Sequence, residues 1–293
     1  MTEAASAPER KPRRRGLALA LILVATVLAF AAILAVWANR QVLNTDSWTK
    51  ASSQMLASPA VQSQLSVYLV DQLYANVDVE AQIREALPPR LQPLAAPAAG
   101  LLRDRLELRA RQVLARPETQ ERWEDANRAA HLALIRVLDG DVESVELDVK
   151  ALLEQTAQQG GVGGRVANAL PDDAARITII KAEQLDGVQT AGKALKSLAI
   201  LLVVLSLGLF GVALAVAPGW RRQAVRAYGL GLVAAGAAAL AAGSLAGDAA
   251  VVELARTEAM QPVVRDVWDI YTTLLKEAAV ATIGYGLLMI AGA

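Results

Sequence analysis

The sequence predicts a mainly α-helical membrane protein with four transmembrane helices and a large, mostly helical extracytoplasmic domain that contains a small two-stranded β element. Residues 16–38 form an uncharged apolar run of 23 residues, and a helix of that length covers the roughly 30 Å hydrocarbon core of a bilayer. Three more runs without charge follow at 197–217, 227–246 and 278–293. The long polar segment 39–196 repeats its apolar residues at helical spacing, which predicts the helical domain.

These runs give a domain order that alternates between the two sides of the membrane. The predicted parts are a cytoplasmic tail 1–15, transmembrane helix 1 at 16–38, the extracytoplasmic domain 39–196, transmembrane helix 2 at 197–217, a cytoplasmic loop 218–226, transmembrane helix 3 at 227–246, an extracytoplasmic amphipathic segment 247–277 and transmembrane helix 4 at 278–293. This order predicts a multi-pass protein of the plasma membrane.

Basic residues set the orientation of the first helix. Five of them lie between Arg10 and Arg15, and cationic flanks are retained in the cytoplasm, so the N-terminus is expected there. The run 16–38 is longer than the 7–15 apolar residues of a signal peptide, which favours an uncleaved signal anchor. Val36 and Ala38 fit a weak cleavage pattern before Asn39, and a cleaved signal peptide is the alternative.

Charge balance and cysteine content restrict the chemistry. Lys plus Arg and Asp plus Glu both total 29, and segment 39–196 carries 18 basic against 21 acidic residues. Nucleic-acid binding needs a concentrated basic face, so we expect no nucleic-acid partner. The sequence has no cysteine, which excludes disulfides, thiolate nucleophiles and Cys-ligated metals. We expect no cofactor.

The first helices of the external domain have recognisable start signals. Thr45-Asp46-Ser47 offers N-cap oxygens for a helix that begins near Trp48, and Ser58 precedes Pro59 as a second cap. Asp78 caps a short helix that ends before Pro88-Pro89. The later predicted helices are Leu101–Leu114, which follows a bent or hinged stretch at Pro89–Gly100, and Glu118–Leu138, which Pro117 opens.

The pattern of apolar and polar residues changes after Gly140. Ser144–Val149 and Arg176–Lys181 alternate apolar and polar residues, as strands do. A predicted helix at Ala151–Gln159 lies between them, and this order suggests a right-handed crossover that joins a parallel pair. The other predicted features are a glycine loop at Gly160–Gly164, a turn at Pro171-Asp172-Asp173 and a helix that runs from Glu183 into the second span.

Small residues mark the third span. Gly229, Gly236 and Gly243 are seven residues apart, and Gly243 with Gly247 forms a GxxxG pair. Glycine faces let transmembrane backbones approach closely, so we expect these four residues to pack against a neighbouring span. Dimerisation is the alternative use of this stripe.

The fourth span is short, and an amphipathic stretch precedes it. Pro262 divides the external segment 247–277, and the apolar residues from Val264 to Leu275 lie on one helical face. This face should lie on the membrane surface or dock under the large domain. Because the run 278–293 has only 16 residues, we expect the natural protein to continue past Ala293 or Lys276 to lengthen the span by reaching the interface.

Five stretches resemble a known group of proteins. They are NRQVLNTDSW (39–48), LPPRLQPLAAP (87–97), WEDANRAAH (123–131), RITIIKAEQL (176–185) and VWDIYTTLL (267–275). The chain resembles a family of uncharacterised multi-pass integral membrane proteins of high-GC Gram-positive bacteria. The resemblance implies an anchor helix, a large external domain and further spans, but no activity, catalytic residue or cofactor. Many members continue past the last span with a basic tail, which this chain lacks.

Asn127, Arg128 and His131 are the candidate ligand-binding residues. They lie on one predicted helix, and Arg128 could hold an anionic ligand through two hydrogen bonds. The alternative for Arg128 is an ion pair with an acid of its own domain. His131 is the only histidine, so no metal site is expected. It is either a general base or ligand or a structural residue.

The leading hypothesis is a binding protein of the cell envelope. It would display the external helical domain to a protein partner as a scaffold, accessory subunit or sensor, with the lipid bilayer around its spans. The alternative is a cell-envelope enzyme or small-molecule transporter component with a site near Arg128 and His131. A deep polar pocket at those residues would favour the alternative, whereas an apolar surface patch would favour a protein partner.

Topology can be tested because the chain lacks cysteine. Single cysteines at Ser144 and Gln223 would be probed with a membrane-impermeant thiol reagent in intact cells. We expect labelling at position 144 and none at position 223, because the arginines of the second loop hold it in the cytoplasm. The reverse pattern would reject the topology.

Overall fold

The computed structural model describes residues 11–139, 145–148, 176–180 and 182–293. The helices within those ranges are α1 (Lys11–Leu43), α2 (Thr45–Ala57), α3 (Pro59–Asn76), α4 (Val79–Ala86), α5 (Ala95–Leu114), α6 (Pro117–Asp139), α7 (Ala182–Val216), α8 (Arg221–Leu254) and α9 (Gln261–Gly292). Four of them, α1, α7, α8 and α9, are long and apolar enough to cross a membrane. The prediction of four helices with the length and composition of membrane spans is therefore confirmed.

The chain divides into two compact units. One unit comprises the described residues up to Arg128 together with Ala199–Ala293, and the other comprises those of Ala129–Leu198. The segment 39–196, predicted as a single external domain, is therefore shared between the two units. Its first 90 residues belong to the same unit as most of the spans. We refer to α2 through α6 as the interspan helices.

The starts of α2, α3 and α4 follow from local capping. Ser58 and Asp78 accept hydrogen bonds from the backbone N–H groups three residues later, as predicted. The cap of α2 differs from the prediction. Asn44 accepts from the N–H of Ser47 at 2.8 Å, so the helix begins at Thr45 rather than near Trp48. An amide oxygen caps as well as a carboxylate, and Asn44 is the residue with extended backbone angles.

The fifth helix begins earlier than predicted. A 3₁₀ turn at Gln92–Leu94 leads directly into α5, which starts at Ala95 rather than at Leu101. Pro97 is the third residue of this helix. Since the first four N–H groups of a helix have no intrahelical partner, proline loses no hydrogen bond there. The predicted hinge is therefore the first turn of the helix.

The unit of residues 129–198 contains the only strands among the described residues. Strand β1 (Val145–Asp148) pairs with β2 (Arg176–Ile180) in antiparallel fashion, with Glu146 opposite Thr178. The predicted parallel arrangement is wrong, because period-two alternation indicates a strand but not its direction. The helix predicted at 151–159, the glycine loop at 160–164 and the turn at 171–173 lie outside the described residues.

Helices α6 and α7 agree with their predicted extents. Helix α6 runs from Pro117 to Asp139, and α7 starts at Ala182 and continues into the second span. Within the second unit, Lys196 donates to Asp139 at 2.7 Å. A turn at Ala217–Trp220 joins α7 to α8, and Gly219 adopts a φ of +80° there, which a residue with a Cβ rarely does.

Helices α8 and α9 pack backbone to backbone. A Cβ at Gly229 would lie 2.7 Å from the carbonyl oxygen of Gly286, and a Cβ at Gly286 would lie 2.6 Å from that of Gly229. A Cβ at Gly236 would lie 2.7 Å from the carbonyl oxygen of Ala279 and 2.6 Å from Ile283 Cγ1. These glycines therefore set the distance between the two helices.

Toward the C-terminal end of α8 the same stripe meets side chains rather than backbone. A Cβ at Gly243 would meet Leu275 Cδ2 at 3.3 Å, and a Cβ at Gly247 would lie 2.6 Å from the indole carbon Cδ1 of Trp268. The end of the Leu275 side chain can move aside, so Gly243 tolerates a larger residue better than Gly236 does. The Trp268 ring is held by its bond to Gly243, so Gly247 is as crowded as Gly236.

Helix α9 is longer than the sequence predicted. It runs unbroken from Gln261 to Gly292, so the amphipathic stretch before position 278 and the fourth span form one helix of 32 residues. Pro262 lies in its first turn and does not divide it, because proline is tolerated at that position. Helix α8 likewise extends through 247–254, which the sequence assigned to the external segment.

The glycine contacts predict a graded response to alanine. Gly236→Ala should lower the thermal midpoint of the protein in detergent, because forcing a methyl group against the Ala279 carbonyl costs about 1–3 kcal/mol. Gly243→Ala should have a smaller effect, since only the Leu275 side chain must move.

Gly284→Ala is the matched control. Gly284 lies on α9, and a Cβ added there would have no neighbour within 4 Å, so alanine should leave the midpoint unchanged or slightly raised. Equal midpoints for Gly236→Ala and Gly284→Ala would show that the α8–α9 contact does not limit stability.

Candidate functional site

The predicted ligand-binding residues all lie on α6 but make different contacts. Arg128 donates to Asp46 of α2 at 2.8 Å, with the Asp46 side chain 80 % exposed. Asn127 donates to the carbonyl oxygen of Trp123 on its own helix at 3.0 Å. His131 is only 2 % exposed and belongs to the other compact unit. In the described structure, Asn127 and Arg128 are therefore each engaged by protein groups.

Two further contacts join α6 to α2. The indole N–H of Trp123 donates to the hydroxyl of Ser52 at 2.9 Å and lies 3.2 Å from the Ser52 carbonyl oxygen. Ser53 donates to Glu124 at 3.4 Å. Together with the ion pair of Arg128 and Asp46, these bonds run along one side of α6. They attach its N-terminal half to the start of the chain after the first span.

Helices α2 and α3 dock on the N-terminal half of α9. The hydroxyl of Ser58 donates to the carboxylate of Asp266 at 2.6 Å, in addition to capping α3. The rings of Trp48 and Tyr271 meet edge to face with centroids 6.4 Å apart. On the apolar face of the amphipathic stretch, Tyr271 therefore contacts α2, whereas Trp268 and Leu275 contact glycines of α8. The placement of this face on the membrane surface or under the large domain stays a prediction.

Two tryptophan indoles connect spans near the same level. Trp37 of α1 donates to the carbonyl oxygen of Tyr271 on α9 at 3.0 Å. Trp268 of α9 donates to the carbonyl oxygen of Gly243 on α8 at 2.9 Å. Trp37 thus makes a specific interhelical bond in addition to any role at the membrane interface. The two bonds link α1, α9 and α8 in series.

A groove of about 180 Å³ lies between the end of α1, the start of α2 and α9. Gln41 lines it and is almost fully buried, and its amide nitrogen has no hydrogen-bond partner in the described structure. Asp46, Lys50 and Glu277 also line the groove. A buried donor without a partner costs free energy, so this groove is a candidate for a small polar ligand.

Three exposed leucines lie on α5 and in the turn just before it. Leu101 and Leu108 of α5 are 69 % and 60 % exposed, and Leu94, seven residues before Leu101, is 56 % exposed. A spacing of seven places residues on one helical face. We call these three residues the leucine row. Arg105 lies one turn from both Leu101 and Leu108.

The helix that carries the leucine row is fixed to α3. The hydroxyl of Tyr74 donates to the carbonyl oxygen of Ala99 at 2.8 Å. Arg103 forms an ion pair with Asp71, and its guanidinium lies 5.7 Å from the centre of the Tyr74 ring. The opposite face of α5 is therefore occupied, while the leucine row is presented outward.

The comparisons with known proteins give no relative. No family model, curated protein or solved structure matches the chain. Among the described residues, no group of three or more His, Asp or Glu side chains is arranged to hold a metal ion. Functional inference therefore depends on the geometry itself, and the family resemblance stays a prediction.

Sequence reasoning missed the groove at Gln41 and the leucine row. Gln41 lies just past the apolar run, where polar residues are expected, and its burial depends on α2 and α9. The leucine row had a visible signal, since three leucines at a spacing of seven appear in the sequence. Periodicity alone could not show whether that face is covered.

The bond of Ser58 to Asp266 predicts a measurable coupling. Asp266→Ala should destabilise the protein in detergent by about 1.5–3 kcal/mol, the usual contribution of a hydrogen bond to a charged group. Ser58→Ala should cost more, because it also removes the N-cap of α3. The double variant should resemble Ser58→Ala, which a double-mutant cycle of unfolding would measure.

Asp269→Ala is the control for this cycle. Asp269 pairs with Lys276 at 2.8 Å, and both side chains are more than half exposed, so its removal should change stability little. Additive effects of the Ser58 and Asp266 substitutions would show that the two residues do not interact.

Proposed function

We propose that this chain is a membrane-embedded scaffold or accessory subunit that binds a partner protein through the leucine row of α5. The observation that carries this proposal is the exposure of Leu101 and Leu108 on one face of α5, whose other side is packed, with Leu94 exposed in the 3₁₀ turn just before it. Single exposed leucines are common, but an aligned set on an anchored helix is typical of an interaction surface.

The partner that fits this surface is an amphipathic helix with charges of both signs beside its apolar face. A spacing of seven matches the apolar seam of a two-helix contact. Asp104 and Arg105 both lie between Leu101 and Leu108, and Arg111 lies one turn beyond Leu108. Opposite charges on the partner would pair with these groups and set the register of the two helices.

The attachment of the interspan helices to the spans supports a scaffold. Helix α2 contacts both α1 and α9, and α3 contacts α9, where Ser58 bonds to Asp266. Helix α5 in turn packs on α3. A surface held by such a series of contacts has a defined position relative to the membrane, which favours specific recognition over flexible capture.

We further propose that α2 through α5 lie on the extracytoplasmic side. The basic residues before the first apolar run support a cytoplasmic N-terminus. The turn between α7 and α8 is followed by Arg221, Arg222 and Arg226 without an acidic residue in between, which supports the same side for that turn. With four crossings, the interspan helices would then face outward.

The contacts of the predicted ligand-binding residues support the scaffold over an enzyme or transporter component. The guanidinium of Arg128 is engaged by Asp46, and the amide of Asn127 by its own helix. The interaction of Arg128 joins α6 to α2, and that of Asn127 stays within α6. The role of His131 within the second unit stays open.

The proposal can be tested by substituting the leucine row. The full-length protein, tagged and expressed in its native cells, would be purified from membranes together with its partner. Leu101→Ser combined with Leu108→Ser should reduce the recovered partner by about tenfold or more, as expected when central apolar contacts of an interface are lost.

Leu132→Ser combined with Leu134→Ser is the matched control. These leucines are also exposed, at 43 % and 37 %, but they lie on α6. A photo-crosslinking residue at position 108 would identify the protein in contact with the row. Equal recovery of the same partner with both double variants would reject the leucine row as its binding surface.

A further inference from the structure

An apolar trough of about 480 Å³ lies among the four membrane-crossing helices. Each of α1, α7, α8 and α9 contributes to its wall, and none of its lining residues carries a charge. We call this cavity the span trough. The residues that define its length on α9 are Ala278, Thr282, Tyr285 and Met289.

The span trough is long and runs parallel to the helices. Its lining residues on α9 recur every three or four positions from 278 to 289, as residues on one helical face do. At 1.5 Å of rise per residue they extend over about 16 Å. Helix α1 contributes a matching row from Ala29 to Val36. The cavity is therefore a channel-shaped recess along two parallel spans and not a rounded pocket.

The polar atoms in its wall are satisfied by protein groups. The hydroxyl of Ser206 donates to the carbonyl oxygen of Ala25 at 2.8 Å and lies 3.0 Å from the hydroxyl of Tyr228. Thr282 donates to the carbonyl oxygen of Ala278 at 2.8 Å. A polar ligand would find few groups to bind here, whereas a hydrocarbon occupant would lose nothing by burial.

Two aromatic rings line one end of the span trough. Phe210 of α7 and Tyr228 of α8 both line it and stack with centroids 4.0 Å apart at an angle of 12°. On α9 the opposite end lies at Ala278, which directly follows the charged pair Lys276 and Glu277. An occupant would therefore enter from the charged end and extend toward the aromatic rings.

The size of the trough selects among apolar occupants. A helix about 10 Å across and 16 Å long occupies roughly 1,250 Å³, more than twice the observed volume. A single hydrocarbon chain about 4–5 Å across occupies about 200–320 Å³ over the same length. The trough therefore accommodates one flexible chain along its length, whereas a further transmembrane helix could enter it only in part.

We propose that the span trough binds one acyl chain of a bilayer phospholipid. The bilayer supplies such chains at high concentration at the depth of the spans, with the chain axis along the helices. The headgroup would lie beyond Ala278, where its phosphate group could replace Asp269 as the partner of Lys276, whose ammonium group donates to Asp269 at 2.8 Å. This inference does not depend on the leucine row, since the two surfaces share no residue.

The proposal can be tested by filling the trough. The full-length protein would be purified in detergent with added phospholipid, passed through detergent exchange and analysed by native mass spectrometry. We expect one phospholipid retained per wild-type chain. Ala278→Phe and Leu207→Trp, which place large side chains in the trough from α9 and α7, should each lose the retained phospholipid.

Ala237→Phe is the matched control, because Ala237 is an exposed residue of α8 that does not line the trough. It should retain phospholipid as wild type does. The thermal midpoint of each variant shows whether it is folded; a folded trough variant should lose the increase in midpoint that added phospholipid gives to wild type.

Equal phospholipid retention by wild type, Ala278→Phe and Leu207→Trp would overturn the proposal. So would retention of an isoprenoid lipid in place of phospholipid by the wild-type protein, or a wild-type protein that retains no lipid while keeping its fold.

Discussion

The close approach of α8 and α9 is the contact on which the rest of the first unit depends. In a bilayer, helices gain little from apolar burial, because the lipid is as apolar as a leucine side chain. Association depends on van der Waals contact, which is greatest where backbones touch. Gly229 and Gly286 meet reciprocally at backbone carbonyls, and Gly236 meets the carbonyl of Ala279. Since neither side of this contact can yield, the position and angle of α9 are fixed by it.

The position of α9 also determines where the interspan helices attach. A helix of 32 residues is about 48 Å long, whereas the hydrocarbon core of a bilayer is about 30 Å thick, so α9 is about 18 Å longer than that core. Asp266, Trp268 and Tyr271 lie on its N-terminal half, where the bonds from Ser58, Trp37 and Trp268 are all made. The interspan helices thus rest on the N-terminal half of a helix whose placement against α8 is set by glycines.

Features of the fold that depend on local chemistry could be predicted from the sequence, and those that depend on distant partners could not. The caps at Ser58 and Asp78 and the four apolar helices need only neighbouring residues, and they were predicted correctly. The ion pair of Arg128 with Asp46 joins residues 82 positions apart, and no local pattern identifies that partner. The prediction that Pro262 divides the segment 247–277 was wrong. A proline is compatible both with the end of one helix and with the first turn of the next, and the sequence does not distinguish the two.

Helix α7 is held by a different kind of contact from α9. A Cβ added to α7 at Gly208 or Gly211 would have no neighbour within 4 Å, because both glycines lie on its exposed side. Its attachment comes from Ser206, which bonds to Ala25 and meets Tyr228, and from the ring stack of Phe210. Ala213 and Ala217 are also buried, in a cluster with residues of α1 and α8. Interhelical hydrogen bonds of the Ser206 type contribute only about 0.6–2 kcal/mol in membranes. The span trough extends along α7 from Val203 to Phe210, and hydrocarbon is what fills space at that depth.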